Sequence, residues 1–260
     1  KFSFDTAEIY STNYRSEYKN QYMSEMSDAW LECNKRLSCE LASLSTKEQL
    51  PIHYGSSIFL RSDEDKSSVI RALITGPEGT PYDSGCYIFD LYAGSGYPKK
   101  CPGAWFMNHG GNRLNPNLYN NGKVCLSILG TWGGNSPSEN WNEKTSSLLQ
   151  VLVSIQAQIL IETPYCNEPG HEFQNGTPAG DKYNKEYNDH TRFFVMKSTM
   201  LDLLENPDSY PQFTEVIKTH FKLKKDYVIN ICEKWISEST KYADQMKKML
   251  DKMKPLLNKL

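Results

Sequence analysis

The chain has 260 residues, 38% of them hydrophobic and 12% aromatic, which is ordinary globular composition and excludes a disordered or fibrous protein. A net charge of -2 removes the excess of Lys and Arg that a nucleic-acid backbone binder needs. No stretch reaches the ~20 uninterrupted apolar residues of a membrane span, and the first residues lack the apolar core of a signal peptide. The sequence starts at Lys1, so a piece of a longer or trimmed protein is expected. Seven cysteines (Cys33, Cys39, Cys86, Cys101, Cys125, Cys166 and Cys232) are scattered with no CxxC pair. That spacing points away from a disulfide framework, a zinc site or any other metal. Free thiols fit the cytoplasm, with the nucleus equally open.

In chain order, Tyr10, Tyr14, Tyr18, Tyr22, Met26 and Trp30 recur every four residues, which predicts one helical face. Residues 28–44 carry Trp30, Leu31, Leu37, Leu41 and Leu44 at helical spacing, a second helix. The period then changes. Runs at 57–61, 69–75, 86–92 and 104–107 are short and β-branched or aromatic, and turn clusters such as Gly76-Pro77-Glu78-Gly79-Thr80-Pro81 separate them. Together they predict a four-stranded antiparallel meander. A loop-rich stretch fills 108–144, long enough to suggest function. Thr145 or Ser146 is the expected cap of a helix running to about Ile161, apolar nearly all round and therefore buried. Helical patterning returns from Tyr183. In the last helix Tyr242, Met246, Met249, Met253, Leu256 and Leu260 form a heptad-like seam, with Pro255 expected to kink or end it. The expected class is α+β, with residues 1–26 a helical extension, 27–200 the functional core and 201–260 a second helical extension.

The chemistry concentrates in Asn115-Pro116-Asn117, followed eight residues after Asn117 by Cys125. Turn residues and Gly122 keep the backbone irregular up to the cysteine, placing its thiol at a junction between loop and regular structure. A lone cysteine is more often a small buried apolar residue. A cysteine hydrolase needs a base, usually histidine, and the five histidines (His53, His109, His171, His190 and His220) form no motif near Cys125. A thioester carrier needs no strong base. It accepts an acyl group by thiol exchange and holds it until an amine attacks, at which point an oxyanion develops that a side-chain amide can stabilise. Asn117 is the candidate for that amide, with holding of the turn through side-chain to backbone bonds as its other role.

Asn115-Pro116-Asn117 with Gly122, Cys125, Leu126, Ile128 and Leu129 resembles the active-site signature of the ubiquitin-conjugating enzyme family. Gly76-Pro77, Thr80-Pro81-Tyr82, Gly85 and Tyr97-Pro98 resemble its meander motifs. Lys35-Arg36-Leu37 and Glu40-Leu41 look like its first helix, and Trp141 with the helix from Leu148 fits the segment downstream of its active site. The likeness runs in order from about residue 27 to 180 and is nearest to the large hybrid conjugating-ligating subgroup. It implies the ubiquitin-conjugating fold. It also implies that Cys125 takes ubiquitin as a thioester from an activating enzyme and passes it to a substrate lysine, with no cofactor. Asn117 would support the oxyanion or the loop. Glu168 falls at the family's acidic position, which orients the lysine and helps remove its proton; its other reading is a solvated loop charge. Lys35 and Arg36 match positions that contact the activating enzyme, or form the solvated face of their helix.

The sequence also departs from the family pattern. Asn115 replaces the usual histidine, a mainly structural change, and Ser127 replaces an acidic residue, leaving Glu168 more of the acid-base work. Two loops that normally carry apolar ligase-docking knobs read Pro98-Lys99 and Asn142-Glu143-Lys144. Charges there weaken docking, since interface anchors are usually apolar. The expectation is an enzyme independent of ordinary RING ligases, with residues 130–140 as a lip over the site. The competing reading is a catalytically inactive ubiquitin-binding module of the same fold. The seam in 237–260 is expected to pack on the core, with a helical partner or dimer as the alternative.

Overall fold

A computed structural model describes residues 3–25, 30–46, 49–132 and 139–260, with the backbone alone for 30–34. Four antiparallel strands form the meander in the expected places: β2 Ile58–Asp63, β3 Val69–Thr75, β4 Cys86–Tyr92 and β5 Gly103–Phe106. Cross-strand partners Leu73 and Ile88, or Ala72 and Phe89, set apolar side chains opposite one another, and this fixes the register. A fifth strand, β1 Phe4–Ala7, adds in parallel to the edge of β2, pairing Phe4 with Leu60 and Ala7 with Asp63. The helical extension expected over 1–26 is therefore a strand, a turn and a short helix, α1 Ser16–Ser24. Tyr10 and Tyr14 lie outside that helix. The tyrosines still meet, because the chain folds back: Tyr10 packs edge-on against Tyr22, and Tyr18 stacks on Tyr92 of the sheet. Met26 and the side chain of Trp30 lie outside the described residues.

Every residue of β3 and β4 is buried, so both faces of the sheet are covered. Helix α2, Trp30–Ser45, lays Leu37, Leu41 and Leu44 into the core; its expected start at residue 28 and the side chain of Leu31 fall outside the described residues. The amino-terminal segment is fastened to the sheet by Asp63, whose Oδ2 accepts from the amides of Ile9 and Tyr10 at 2.9 and 2.8 Å. A fully buried ion pair crosses β3 and β4. Arg71 Nε and Nη2 donate to the two carboxylate oxygens of Asp90 at 2.6 and 3.1 Å, and Arg71 Nη1 reaches Asn13 and Gln212. One guanidinium thus joins the sheet to segments at both ends of the chain.

Helix α3, Leu148–Ser154, is capped by Ser147, whose hydroxyl accepts from Gln150 N, and not by Thr145 or Ser146. Ser146 Oγ instead accepts from Asn142 N at 3.0 Å. A π-helical turn, Ile155–Ile159, continues it. One side is buried (Val151, Leu152, Ile155, Ile159), while Gln150, Ala157 and Gln158 face solvent, so this element is amphipathic where all-round burial was expected. The polar interruptions in its apolar run are that outer face.

After a capped helix α4, Pro178–Phe194, and a buried π-helical turn, Val195–Leu201, come the short helix α5 Asp202–Glu205 and then α6 Thr214–Leu223, α7 Lys225–Glu238 and α8 Ala243–Asn258. Met246, Met249, Leu250, Met253 and Leu257 of α8 are buried in the main core, and Lys254 pairs with Glu233 of α7 at 2.9 Å. Met246, Met249 and Met253 of the seam thus pack on the core, while Tyr242, Leu256 and Leu260 are partly buried. Pro255 does not end the helix, which runs on to Asn258. It lies near the carboxyl end beside exposed Asp251, so water can satisfy the carbonyl that loses its donor.

Helix α6 carries a pH-sensitive contact. His220 Nε2 lies 2.9 Å from the Ser84 carbonyl, and burial pushes the imidazole down to about 4. In the unfolded chain it titrates near 6.5. Between these values the unfolded state holds a proton that the folded state does not. Stability therefore falls as pH drops through 6.5 toward 4, by up to about 3 kcal/mol. Denaturant midpoints at pH 7.5 and 5 are expected to show this loss, and His220→Gln to flatten it. Equal slopes in both proteins would remove the assignment.

Candidate active site

The loop between β5 and α3 is pinned from its inner side. Leu114 is fully buried, and its carbonyl accepts from the Tyr82 hydroxyl at 2.9 Å. Asn115, also fully buried, uses its whole amide. Nδ2 donates to Tyr82 Oη and to the Ile159 carbonyl at 2.9 and 2.8 Å; Oδ1 accepts from Asn117 N at 2.8 Å and from Asn167 Nδ2 at 3.3 Å. A carboxamide presents donors and an acceptor on one planar group. It therefore ties the turn, the end of the central helix and the 160s loop together, the structural job expected at this position.

Asn117 and Cys125 are locked to each other. The Cys125 amide donates to the Asn117 carbonyl at 2.9 Å, and Asn117 Nδ2 donates to the Cys125 carbonyl at 2.8 Å. Holding the turn is thus an observed role of Asn117. Its Nδ2 keeps a second hydrogen, its Oδ1 is buried without a partner, and the side chain lines a cleft of about 180 Å³ together with Leu126, Ser127, Cys166, Asn167 and Glu172. Between the two residues Gly122 turns at φ 93°, and a Cβ there would meet Trp105 Nε1 at 2.2 Å and Phe106 O at 2.5 Å, so only glycine fits. Cys125 follows the bridge residue Val124 and precedes the single turn Ser127–Leu129, at the expected junction, and is 2% exposed. Thr131 closes the far side, donating to the Val124 carbonyl and accepting from Leu126 N at 2.9 and 3.0 Å.

Three residues around the active-site turn and Glu168 were not singled out from the sequence. Burial, followed by the charge of Cys125, raises the Tyr119 phenol above its usual range. Arg113 Nη2 donates to the Pro116 carbonyl at 2.8 Å and to Glu168 Oε2 at 3.0 Å, with the guanidinium carbon 4.8 Å from the centre of the Tyr119 ring. Tyr187 on α4 completes the group, its phenol raised by burial and influenced by Arg113 and Glu168. Glu168 is thus brought to the active-site loop through Arg113. No sequence signal could have paired two residues 55 positions apart.

The other predicted positions sit farther off. Arg36 is occupied within the chain, bonding Glu40 Oε1 at 2.5 Å and the Ser146 carbonyl at 2.9 Å, whereas Lys35 is exposed. The Pro98 carbonyl accepts from Trp141 Nε1 at 2.6 Å, which couples the two docking loops; Lys99, Asn142 and Glu143 are exposed at their tips. Of the lip expected over 130–140, residues 133–138 lie outside the described residues. The histidines are engaged elsewhere: His171 stacks on Tyr165, His190 packs on Phe194, His220 holds Ser84, and His53 and His109 accept from Gly55 and Gly111. Among the described residues no group of three or more metal-binding side chains is found, and no helix is long and apolar enough to cross a membrane.

This geometry agrees with sequence comparison. The profile described as ubiquitin-conjugating enzyme matches residues 36–195. The chain is 43% identical over 260 aligned residues, 95% of its length, to the dual E2 ubiquitin-conjugating enzyme/E3 ubiquitin-protein ligase BIRC6 of Homo sapiens, of which it spans about 5%. It is 46% identical over 207 residues (79% of this chain, 14% of the relative) to a probable ubiquitin-conjugating enzyme of Acanthamoeba polyphaga mimivirus. It is 41% identical over 225 residues (86% and 30%) to probable ubiquitin-conjugating enzyme protein 17 of Caenorhabditis elegans. With the profile covering more than half of the chain, and the meander, central helix and cysteine loop in the order the motifs imply, the protein belongs to the ubiquitin-conjugating enzyme family.

Proposed function

We propose that Cys125 accepts ubiquitin from an activating enzyme as a thioester and delivers it to a substrate lysine. The observation that carries this is the locking of Asn117 to Cys125 through its side-chain amide and the tethering of Glu168 by Arg113 to the same active-site turn, at the Pro116 carbonyl. In the first step the Cys125 thiolate attacks the activating enzyme's thioester and that enzyme's thiolate leaves. In the second a neutral lysine amine attacks the carbonyl, Asn117 faces the developing oxyanion, Glu168 takes the amine proton, and the Cys125 thiolate departs. Ser127, in the cleft wall, supplies no charge of its own. Lys35 is the exposed cation available to the activating enzyme. The docking loops present Lys99, Asn142 and Glu143 rather than apolar anchors, which supports transfer without a separate RING ligase.

The near-complete burial of Cys125 favours one competing reading, an inactive ubiquitin-binding module. Incubation with activating enzyme, ATP and ubiquitin separates the two. The expected product is an adduct one ubiquitin heavier that reductant removes and Cys125→Ala does not form. Chased with free lysine, it discharges at a rate that a generic RING domain leaves nearly unchanged. No adduct with ubiquitin or with any other ubiquitin-like modifier would favour the binding module, and strong RING stimulation would end the ligase-independent part.

A further inference from the structure

Arg113 has more contacts at the site than a surface arginine requires. It belongs to the run Arg113-Leu114-Asn115-Pro116, whose next residue is anchored through the Leu114 carbonyl to Tyr82, so its backbone is fixed. From that fixed point a single nitrogen, Nη2, reaches the Pro116 carbonyl in the active-site turn at 2.8 Å and Glu168 Oε2 at 3.0 Å. The face of the guanidinium lies over the Tyr119 ring at 4.8 Å. Tyr119 in turn follows the active-site turn, its amide donating to the Lys123 carbonyl two residues before Cys125 at 3.0 Å. Arg113 Nε is buried with no acceptor. A buried donor left unpaired costs stability, so the pose is not the one stability alone would select. Arg113 and Glu168 are each about two-fifths exposed, at 40% and 39%. A surface pair of that exposure contributes little to folding, but it can fix where a flexible carboxylate points.

We infer that Arg113 is the positioning residue of the transfer step, holding the Glu168 carboxylate and the Tyr119 ring at the active-site turn for an incoming primary amine. This rests on the roles proposed above for Cys125 and Glu168. Glu168 follows the short turn Pro164–Asn167 and is extended, with a long side chain that many rotamers could carry away from the cleft. Arg113 selects the rotamer over the active-site turn. A carboxylate that must accept a proton within hydrogen-bond reach loses much of its effect when displaced by about an ångström. The guanidinium is suited to this because one of its nitrogens carries two hydrogens for two acceptors while its planar face covers an aromatic ring. It also supplies a fixed positive charge beside the carboxylate, which the arriving ammonium must share before it gives up its proton. Charging of Cys125 does not use that carboxylate, so the arginine acts on transfer alone.

The test uses the full chain, single-turnover discharge of its ubiquitin thioester to free lysine, and the variants Arg113→Gln, Arg113→Lys, Glu168→Gln and the double Arg113→Gln/Glu168→Gln. Arg113→Gln is expected to charge at the wild-type rate and to discharge about 10-fold more slowly at pH 7.5, in the rate constant rather than in the lysine concentration for half-saturation. Its deficit should narrow as pH rises to about 9.5, where more of the lysine (ordinary pKa near 10.4) is already neutral. A merely structural lesion would not follow the ionisation of the substrate. Arg113→Lys should recover part of the rate, and the double variant should be no slower than Glu168→Gln alone. A pH-independent deficit, additive losses in the double variant, or wild-type discharge by Arg113→Gln while Glu168→Gln is slow would each overturn the role of Arg113 alone. Wild-type discharge by Glu168→Gln, or failure of the wild-type chain to form a thioester, would instead overturn the underlying reading.

Discussion

Asn117→Ala is expected to slow lysine discharge by about 10² while thioester formation on Cys125 stays near the wild-type rate. The amide is already committed on one side, with Nδ2 donating to the Cys125 carbonyl at 2.8 Å. Its second hydrogen and the cleft it lines leave it able to meet the oxyanion of the tetrahedral intermediate. The two functions have different signatures. Thiol exchange and aminolysis both pass through an oxyanion, but exchange between thioesters starts with a good nucleophile and a good leaving group, whereas an amine must displace the thiolate. Stabilisation therefore counts most in discharge. If Asn117 serves only the turn, charging and discharge should fall together, with an earlier thermal transition. Asn117→Asp distinguishes further: it keeps the shape but places a carboxylate oxygen against the Cys125 carbonyl, and is expected to lose both steps. Equal, small losses in discharge and charging for Asn117→Ala would leave the turn as its whole role.

The largest effect on stability is expected at the buried pair Arg71–Asp90. Both side chains are 0% exposed, and burial raises the Asp90 carboxyl against the opposing pull of Arg71. Asp90→Ala strands a guanidinium in the core and should cost about 3–5 kcal/mol, seen as a fall in Tm of about 10 °C. The Arg15 amide, which donates to Asp90 Oδ2 at 2.8 Å, would lose its acceptor in the same variant, so proteolysis near residues 10–15 should accelerate. The double change Arg71→Met/Asp90→Leu should be much less damaging than either single change, because no charge is left buried. A double variant as unstable as the singles would show that Arg71's contacts to Asn13 and Gln212, rather than the ion pair, hold this region.

The meander was legible because its strands are short β-branched runs between Gly-Pro turns, and three of four boundaries fall within one residue of those read from the pattern, with β2 extending two residues farther. The link between Asn117 and Cys125 was legible because the two lie eight residues apart, whereas the bonds of Asn115 to Tyr82, Ile159 and Asn167 join distant segments and were not. Strand β1 was not legible: Phe4-Asp5-Thr6-Ala7 carries no alternation, and a parallel partner 56 residues away selects it. The tyrosine repeat misled for the opposite reason. A spacing of four is a strong local signal, yet contact with Tyr92 and Asp63 outweighs it. The capping serine was misplaced by one because Ser146 and Ser147 are equally good caps locally, and only the bond from Asn142 N decides between them. Arg113 and Tyr187 were invisible because their meaning lies in a distant carboxylate.

The parallel pairing of β1 with β2 bears on where this catalytic unit can be cut. The family match begins at residue 36, after β1 and α1, and ends at 195, before Tyr210, Gln212 and the helices beyond them. A fragment trimmed to those limits would bare the edge of β2, a row of amide and carbonyl groups with no partner, and would uncover Arg71 on the sheet's face. Naked edges recruit strands from other molecules. The added segments are therefore expected to guard against self-association, and the smallest well-behaved unit to be wider than the stretch the profile matches.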